Sequence, residues 1–276
     1  FDSVNRECLF YKLLYHGVKG KLYNAIVSLY ENTKSCVKVN SYLTEWFPTE
    51  LGVRQGDIIS PTLFSIYLND LALEIKSMGL GVDCDGEMIA ILLYADDIVL
   101  LAESEEALQC MLEKTADWCH NWRLRVNVDK TKVVHFRMVN TKPTDFDFRF
   151  GTSGIDIVEK YKYLGVIFDQ RLNFESNSEV LSSSASRALG AVVNKYKTLG
   201  GLGFSTYTAM FNNLVTPILD YGSGVWATKS FSKLQTVQNK AIRTFLGVHR
   251  FASNVAIQGD MGWESCALRQ KINVLR

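Results

Sequence analysis

Two adjacent carboxylates, Asp96 and Asp97, stand inside an otherwise apolar stretch from Ile91 to Leu101. Burial of an unpaired carboxylate is costly, so such a pair requires a cation, hydrogen bonds or contact with water. Two interpretations fit these residues. The pair occupies the wet tip of a tight hairpin turn, where Asp is common, or it holds a divalent cation such as Mg²⁺, which prefers carboxylate and phosphate oxygens. Two such ions can act together on a transferring phosphoryl group.

A polar segment with two glycines, Leu51–Ser60, precedes the carboxylates and leads into a helix that begins at Ser60-Pro61. Glycine lets a backbone approach a ligand closely, and the N-terminus of a helix attracts phosphate. Taken alone, the segment is an ordinary loop before a helix. Together with Asp96-Asp97, it favours a site that binds a phosphate-bearing ligand.

The elements that must position these residues follow from the spacing of apolar side chains. Helical spacing predicts helices over residues 6–15, 21–30, 60–79 and 104–122. Apolar runs and alternation predict strands or hairpins at 35–50, 88–93, 98–102, 124–128, 132–137, 146–150 and 161–168. From about residue 178 the pattern is helical only. Since strands and helices interleave in the first part, we predict an α+β fold there.

Charge also divides the chain near residue 180. Residues 1–180 carry 19 Lys and Arg against 26 Asp and Glu, whereas residues 181–276 carry 11 against 3. The content of 47% hydrophobic and 21% charged residues is that of a globular protein and excludes wholesale disorder. We therefore predict two domains, 1–180 and 181–276. The basic second segment either presents solvated helix faces or contacts a polyanion.

Cysteine and histidine residues predict no site of their own. The six cysteines show neither C-x-x-C spacing nor a histidine at zinc-ligand spacing, so we expect reduced, buried thiols. The four histidines are scattered, and we expect structural roles for them. The sequence shows no secretory signal and no apolar run long enough to span a bilayer. We therefore expect a cytoplasmic or nuclear protein that does not contact a membrane.

An ordered series of motifs resembles the reverse transcriptases of non-LTR (LINE-type) retrotransposons, over nearly the whole chain. Arg54-Gln55-Gly56, followed by Ser60-Pro61 and Leu63-Phe64, resembles the B motif of that family, which contacts the template and the incoming nucleotide. Tyr94-Ala95-Asp96-Asp97 resembles the C motif, the metal-binding hairpin beside the nucleotide. The resemblance thus makes Asp96 and Asp97 catalytic metal ligands.

Three further segments continue the series. Trp122–Leu124, with Asn127, Lys130 and Thr131, resembles the D motif, whose lysine assists the departure of pyrophosphate. Tyr163-Leu164-Gly165 resembles the E motif, a hairpin that grips the primer. Tyr221-Gly222 and Trp226 resemble the segment that follows in the thumb.

The resemblance implies a right-hand polymerase, with a palm and partial fingers over residues 1–180 and a basic, all-helical thumb or connector over 181–276. It implies RNA-directed DNA synthesis with Mg²⁺ or Mn²⁺, and as partners an RNA template, a DNA primer and deoxynucleoside triphosphates. A basic thumb would neutralise duplex phosphates. The candidate cations are Arg187, Lys195, Lys197, Lys229, Lys233, Lys240, Arg243 and Arg250.

The A motif of that family is matched only at its tail, by Phe1-Asp2-Ser3-Val4. Phe1 would be the aromatic gate that screens the sugar 2′-OH, and Asp2 is not assigned as a metal ligand. The metal-binding aspartate of this motif belongs five positions before Phe1. We therefore expect an N-terminally truncated reverse transcriptase that is inactive alone. The alternatives are a catalytically dead remnant that binds RNA or duplex, and a helical interaction scaffold, which leaves the Asp pair unexplained.

Overall fold

Helices alternate with short antiparallel ribbons up to Asp169, and helices follow from Glu175, in a computed structural model that describes residues 1–275. This mixture is the predicted α+β class. The chain divides into two compact units. The first comprises residues 1–133 and 144–156, and the second comprises residues 134–143 and the described chain from Ile157 onward.

This division falls at residues 156–157, earlier than the boundary near residue 180 that the change in charge and periodicity predicts. The reason is packing. A hairpin over residues 160–169 precedes the helical region, and its Val166 belongs to the same apolar core as Leu181 and Leu189 of the following helix. The hairpin therefore groups with the helices.

The first unit is built from helices and from two-stranded antiparallel ribbons. Its helices are α1 (Arg6–Tyr15), α2 (Gly20–Tyr30), α3 (Ser60–Ser77) and α4 (Glu105–Asn121). Its ribbons pair β1 (Lys34–Ser35) with β4 (Phe47–Pro48), β2 (Lys38–Val39) with β3 (Tyr42–Leu43), β5 (Val82–Cys84) with β6 (Glu87–Ile89), β7 (Ile91–Tyr94) with β8 (Asp97–Leu100), and β9 (Arg149–Phe150) with β10 (Ser153–Gly154).

Two helix starts in this unit follow from local chemistry. Pro61 lies in the first turn of α3, where its missing N–H costs nothing. Ser104 caps α4 by accepting a hydrogen bond from the backbone N–H of Ala107 at 3.1 Å, and acidic residues in the first turn suit the helix dipole. The inner face of α3, including the fully buried Tyr67 and Leu71, forms the middle of the apolar core.

The second unit consists of one hairpin and a helical bundle. Its elements are β11 (Lys160–Tyr163), β12 (Val166–Asp169), α5 (Glu175–Thr198), α6 (Phe204–Leu214), α7 (Thr216–Leu219), α8 (Ser223–Trp226), α9 (Ser232–Leu246), α10 (Asn254–Met261) and α11 (Cys266–Leu275). Tyr207 lies fully buried in the bundle and donates its hydroxyl to the carbonyl of Ala241 at 2.9 Å, and burial raises the pKa of Tyr207 to about 12. Among residues 1–275, no helix is long and apolar enough to cross a membrane.

The predicted strands near 124–128 and 132–137 are wrong. The side chain of Asn127 accepts a hydrogen bond from the backbone N–H of Lys130 at 3.2 Å, and residues Val128–Lys130 form a 3-10 turn instead. Asn side chains compete for backbone partners in this way and interrupt strands. Downstream, the N–H of Val133 donates to the carbonyl of Asp156 at 3.0 Å as an isolated contact.

The prediction of buried thiols holds for only part of the cysteines. All six are free, as expected, but Cys84 and Cys110 are exposed. Cys119 and Cys266 are buried, and burial raises the pKa of each thiol to about 11. At neutral pH these two thiols stay protonated and act as small apolar side chains.

A buried cation joins three helices of the first unit. Lys12 of α1 is 2% exposed, and its Nζ donates to the carbonyl of Tyr67 at 2.5 Å and to Oδ1 of Asp70 at 2.6 Å. The rings of Tyr67, Trp118 and Trp122 surround the ammonium at 4.7, 4.3 and 3.8 Å. Burial lowers the pKa of Lys12, and the contact with Asp70 opposes that shift. The aromatic faces and Asp70 together replace the lost hydration.

Substitution Lys12→Met tests this arrangement. Removal of the ammonium leaves Asp70 without its counter-ion, which we expect to lower the free energy of unfolding by about 3 kcal/mol. Urea unfolding at neutral pH measures the loss. Lys114→Met is the matched control, because Lys114 pairs with Glu74 of the same helix α3 but at an exposed position, and its loss should stay below about 1 kcal/mol. Equal losses for the two variants would contradict the buried-cation interpretation.

Candidate functional site

A cavity of about 470 Å³ opens beside the N-terminus of α3 in the first unit. It brings together residues that the sequence places far apart, and several of them belong to the predicted site. The lining residues are Phe1, Asp2, Arg54, Gln55, Gly56, Asp57, Ser60, Pro61 and Asp96. Three carboxylates and one guanidinium thus face a common space.

One wall of the cavity is formed by two irregular segments, residues 1–5 and 51–53, which are joined by backbone hydrogen bonds and an isolated bridge between Asn5 and Leu51. The backbone N–H of Gly52 donates to the carbonyl of Val4 at 2.8 Å, and that of Val53 donates to the carbonyl of Phe1 at 3.1 Å. Gly52 has a φ of +83°, and a Cβ at this position would lie 2.9 Å from the carbonyl oxygen of Asp2. Glycine is therefore required by both the backbone conformation and the close approach.

The ring of Phe1 is held against the first helical turns. It stacks on Phe64 of α3, with ring centroids 4.4 Å apart and an interplanar angle of 18°. Phe1 is half-buried, so one face of its ring packs on the core while part of the side chain lines the cavity. Stacked aromatic pairs of this kind fix the position of a ring.

The turn Arg54–Asp57 forms the floor of the cavity and is fixed by side-chain hydrogen bonds. Gln55 donates its amide Nε2 to Oδ1 of Asp2 at 2.8 Å, and the hydroxyl of Ser60 donates to the carbonyl of Arg54 at 2.6 Å. Gly56 has a φ of +80°, which closes the turn. Arg54 is exposed, and its Nη1 donates to the carbonyl of Leu29 at 3.4 Å. The guanidinium therefore reaches solvent at the edge of the cavity.

Asp96 enters the cavity from the tip of the β7–β8 hairpin. Tyr94 pairs with Asp97 in this hairpin, and Ala95 takes a left-handed φ of +53° in the two-residue turn. Asp96 and Asp97 are both exposed, and Asp96 lines the cavity. The Asp pair thus lies at the exposed tip of a hairpin, a position that is compatible with both interpretations of these carboxylates. Tyr94 is 63% exposed beside it.

The two carboxylates at this hairpin are too few to bind Mg²⁺ alone, but they suffice if a substrate supplies phosphate oxygens as further ligands. Among residues 1–275, no group of three or more His, Cys, Asp or Glu side chains is placed to hold a metal ion. Mg²⁺ is commonly bound by one or two carboxylates plus substrate phosphates and water. The exposed carboxylates of Asp96 and Asp97 meet the protein's share of that requirement.

Lys130 lies outside the set that lines the cavity. It is exposed and occupies the last position of the 3-10 turn Val128–Lys130. The turn follows α4 in the first unit and places Lys130 on the surface. The structure therefore gives Lys130 a defined backbone position outside the lining of this cavity.

The predicted primer-grip residues form the turn of the β11–β12 hairpin in the second unit. Tyr163 pairs with Val166, and Leu164 and Gly165 take φ values of +44° and +84°. The hydroxyl of Tyr221 donates to the carbonyl of Leu164 at 3.1 Å, and the indole of Trp226 donates to the carbonyl of Tyr221 at 2.8 Å.

The same contact explains the glycine in this turn. A Cβ on Gly165 would lie 2.7 Å from Cε1 of Tyr221. The predicted thumb segment and the predicted hairpin motif are therefore one packed structure.

Two groups of basic residues in the second unit differ in whether their charges are paired. Lys229 pairs with Glu175 at 3.0 Å, and Lys233 pairs with Glu179, whose pKa is lowered by the hydrogen bond from Lys233. In contrast, a cavity of about 390 Å³ is lined by Lys240, Arg243 and Arg250, together with Thr236, Thr244 and Val248. Within the described chain, neither Lys240 nor Arg250 forms an ion pair.

Arg187, Lys195 and Lys197 of the predicted set lie on α5 and are exposed. Arg187 donates to the hydroxyl of Ser184 at 2.9 Å. Arg243 donates to the carbonyl of Ala252 at 2.9 Å and to Oδ1 of Asn254 at 2.6 Å, so its guanidinium is held in place at the wall of the basic cavity.

Two residues that line the first cavity were not predicted from the sequence as site residues. Asp57 follows the B-motif turn and lines the cavity, and Asp2, which the motif pattern left without a role, binds Gln55. Asp57 could have been noted as a carboxylate two residues after Gln55 in a glycine-containing turn. The partner of Asp2 could not have been found, because 53 positions separate it from Gln55.

Residues 1–168 match the protein family described as "Reverse transcriptase (RNA-dependent DNA polymerase)", and the chain belongs to that family. It is 25% identical, over 95% of its length, to an RNA-directed DNA polymerase from mobile element jockey of Drosophila melanogaster, of which it covers 29%. The corresponding jockey polymerase of Drosophila funebris is 27% identical over 95% of the chain, and the chain covers 29% of that protein.

A Pol polyprotein from the type-1 retrotransposable element R2 of Nasonia vitripennis is 30% identical over 61% of the chain, which covers 17% of that protein. The chain thus spans less than a third of the length of these relatives. The predicted resemblance to reverse transcriptases of non-LTR retrotransposons is confirmed.

Substitution Gly165→Ala tests the packed turn of the second unit. A Cβ would both strain a φ of +84° and overlap the ring of Tyr221, so we expect a loss of about 3 kcal/mol in the free energy of unfolding. Gly200→Ala is the control, since Gly200 has a φ of +69° with nothing within 4 Å of a Cβ, and about 1 kcal/mol is expected. In a Tyr221→Ala background the cost of Gly165→Ala should fall toward that of the control. An unchanged cost there would show that the ring does not contribute.

Proposed function

We propose that this chain forms the nucleotide-adding part of an RNA-directed DNA polymerase encoded by a non-LTR retrotransposon. The observation that most directly supports this proposal is the lining of the first cavity, where Asp96 of the hairpin, the turn Arg54–Gly56 and the ring of Phe1 lie together. A deoxynucleoside triphosphate requires a metal-binding carboxylate for its phosphates, cations or N–H groups beside them, and a surface for its sugar and base. This cavity offers each of these within one unit of the chain.

The triphosphate is bound from two sides. The guanidinium of Arg54 supplies donors in a planar fork that suits phosphate oxygens. The N-terminus of α3, which begins at Ser60 in the cavity wall, offers the positive end of the helix dipole. Phe1 lies at the sugar side, where its fixed ring would exclude a 2′-OH.

Asp96 and Asp97 hold the divalent ion, with Mg²⁺ or Mn²⁺ as the candidates. When bound, such an ion neutralises phosphate charge and lowers the pKa of a coordinated hydroxyl. From the exposed hairpin tip, the carboxylates of Asp96 and Asp97 would hold the ion where phosphate oxygens of the substrate can also reach it. Lys130 is the candidate donor of a proton to the departing pyrophosphate.

The two units correspond to the parts of a right-hand polymerase. The first unit supplies the palm with partial fingers, and the helical second unit supplies a thumb or connector. Tyr163, Leu164 and Gly165 contact the primer, and the turn that presents them is held by the hydroxyl of Tyr221. The other substrates are an RNA template and a DNA primer.

Substitution Asp96→Ala tests the catalytic assignment in the longest natural protein that contains this chain. Loss of a metal-binding carboxylate should lower kcat for primer extension on an RNA template by about 100-fold or more. Asp85→Ala is the matched control, because Asp85 also occupies a hairpin turn, between β5 and β6, with a φ of +54° and an exposed side chain. Undiminished extension by Asp96→Ala would refute the assignment. Wild-type protein that binds RNA and primer but extends nothing would favour the catalytically dead remnant.

Lys240, Arg243 and Arg250 are the cations proposed to contact duplex phosphates. Phosphate contacts displace counterions, so the logarithm of the binding constant falls with the logarithm of the salt concentration. The double substitution of Lys240 and Arg250 by Ala should make that slope shallower by about 1 per lost contact.

The matched comparison is the double substitution of Lys229 and Lys233 by Ala. These lysines are neutralised by Glu175 and Glu179, so their loss should change the slope less. Equal slopes for the two double variants, measured by titration of a labelled RNA–DNA duplex, would remove the basic cavity from the interface.

A further inference from the structure

The guanidinium of Arg6 binds an unusual number of backbone oxygens. Its Nη1 donates to the carbonyl of Thr49 and to Oγ1 of Thr33, both at 2.7 Å, and to the carbonyl of Tyr30 at 3.3 Å. On its other sides, Nε donates to the carbonyl of Gly52 at 3.0 Å and Nη2 donates to that of Leu51 at 3.2 Å. One side chain therefore ties the first residue of α1 to the end of α2 and to residues 49–52.

The backbone that Arg6 binds, Leu51 and Gly52, lies directly before the turn that lines the candidate site. Gly52 is followed by Val53, whose N–H binds the carbonyl of Phe1, and by Arg54, the first residue of the cavity turn. Arg6 itself follows residues 1–5, which form the opposite segment of the same wall. Arg6 thus links the two segments: its backbone directly follows the segment that carries Phe1 and Asp2, and its guanidinium binds the carbonyls that precede Arg54 and Gln55.

We propose that Arg6 is a positioning residue for nucleotide binding, which sets the register of the turn Arg54–Gly56 against Phe1 and Asp2. This proposal rests on the proposed polymerase function. Arg6 does not line the cavity and acts through Leu51 and Gly52. A shift of that segment would move Gln55 away from Asp2, to which it is bound at 2.8 Å, and would move Arg54 relative to the N-terminus of α3.

Only a guanidinium satisfies this arrangement. The acceptors surround a planar group whose Nε, Nη1 and Nη2 point in fixed and different directions. A lysine at this position carries one nitrogen with three N–H donors, which cannot replace the five contacts that three guanidinium nitrogens make in different directions. Arg6→Lys therefore keeps the positive charge but removes the fixed directions of the guanidinium N–H donors.

A purely structural role for Arg6 predicts a different result from a positioning role. Loss of stability alone lowers the amount of folded protein and leaves the KM for the nucleotide unchanged. Displacement of the turn raises KM, because the triphosphate then meets misplaced donors. Lys12→Met supplies the matched comparison, since Lys12 stabilises the same unit through contacts with Tyr67 and Asp70, away from residues 49–57.

The experiment compares wild type, Arg6→Lys, Arg6→Gln and Lys12→Met at a temperature where all are folded. Primer extension in the longest natural protein that contains the chain gives KM for a deoxynucleoside triphosphate and kcat. We expect Arg6→Lys and Arg6→Gln to raise KM by about 10- to 100-fold, with a much smaller change in kcat, and Lys12→Met to leave KM unchanged. Hydrogen exchange in this chain should show faster exchange of the Gly52 and Val53 amides in the Arg6 variants only.

Two results would overturn the proposal. One is an unchanged KM in Arg6→Lys, and the other is a Lys12→Met variant whose KM rises as much as that of the Arg6 variants. If the wild-type protein extends no primer, the polymerase assignment fails, and hydrogen exchange then decides the positioning claim separately. Unaltered exchange of the Gly52 and Val53 amides in Arg6→Lys would refute it.

Discussion

The candidate site depends on the close backbone approach of residues 1–5 and 51–53. This pairing places the ring of Phe1 and the carboxylate of Asp2 beside the turn that carries Arg54 and Gln55. It is possible only because Gly52 lacks a Cβ, which would lie 2.9 Å from a carbonyl oxygen. The pairing also leaves several backbone oxygens between α2 and the turn, and Arg6 satisfies them with one side chain. A wall built from backbone hydrogen bonds is rigid, and rigidity is what a site that orients a triphosphate requires.

Burial and ion pairing determine whether a basic side chain of this chain stabilises the fold or can bind an external anion. Lys12 lies among three aromatic rings and Asp70 and serves stability. Lys233 of α9 and Lys229, which precedes that helix, are paired with Glu179 and Glu175 of α5. Lys240 and Arg250 have exposed side chains around a cavity and are available to a polyanion. Net charge counts these residues equally, whereas only the last group contributes to a field outside the protein.

The sequence predicts an element correctly where a strong local signal marks it. It does not predict the role of a residue whose contacts come from a distant segment of the chain. Pro61 predicted the start of α3, and the apolar runs around Asp96 predicted the β7–β8 hairpin. The Asn127 side chain overrode the strand pattern near residue 128, because a single polar contact outweighs weak alternation. Arg6 and Asp2 could not be assigned roles from the sequence, since their partners lie dozens of positions away. The two compact units divide before the boundary that charge and periodicity predict, because the β11–β12 hairpin packs into the helical core.

The contact between Gly165 and Tyr221 has a consequence for sequence divergence. Copies of a mobile element accumulate substitutions independently, and most positions on the surface can change one at a time. Residue 165 is constrained by residue 221, because a side chain at the first needs the space that the ring of the second fills. A copy that keeps the tyrosine but has lost the glycine therefore has to move the tyrosine ring, and its bond to the carbonyl of Leu164, to keep this turn packed.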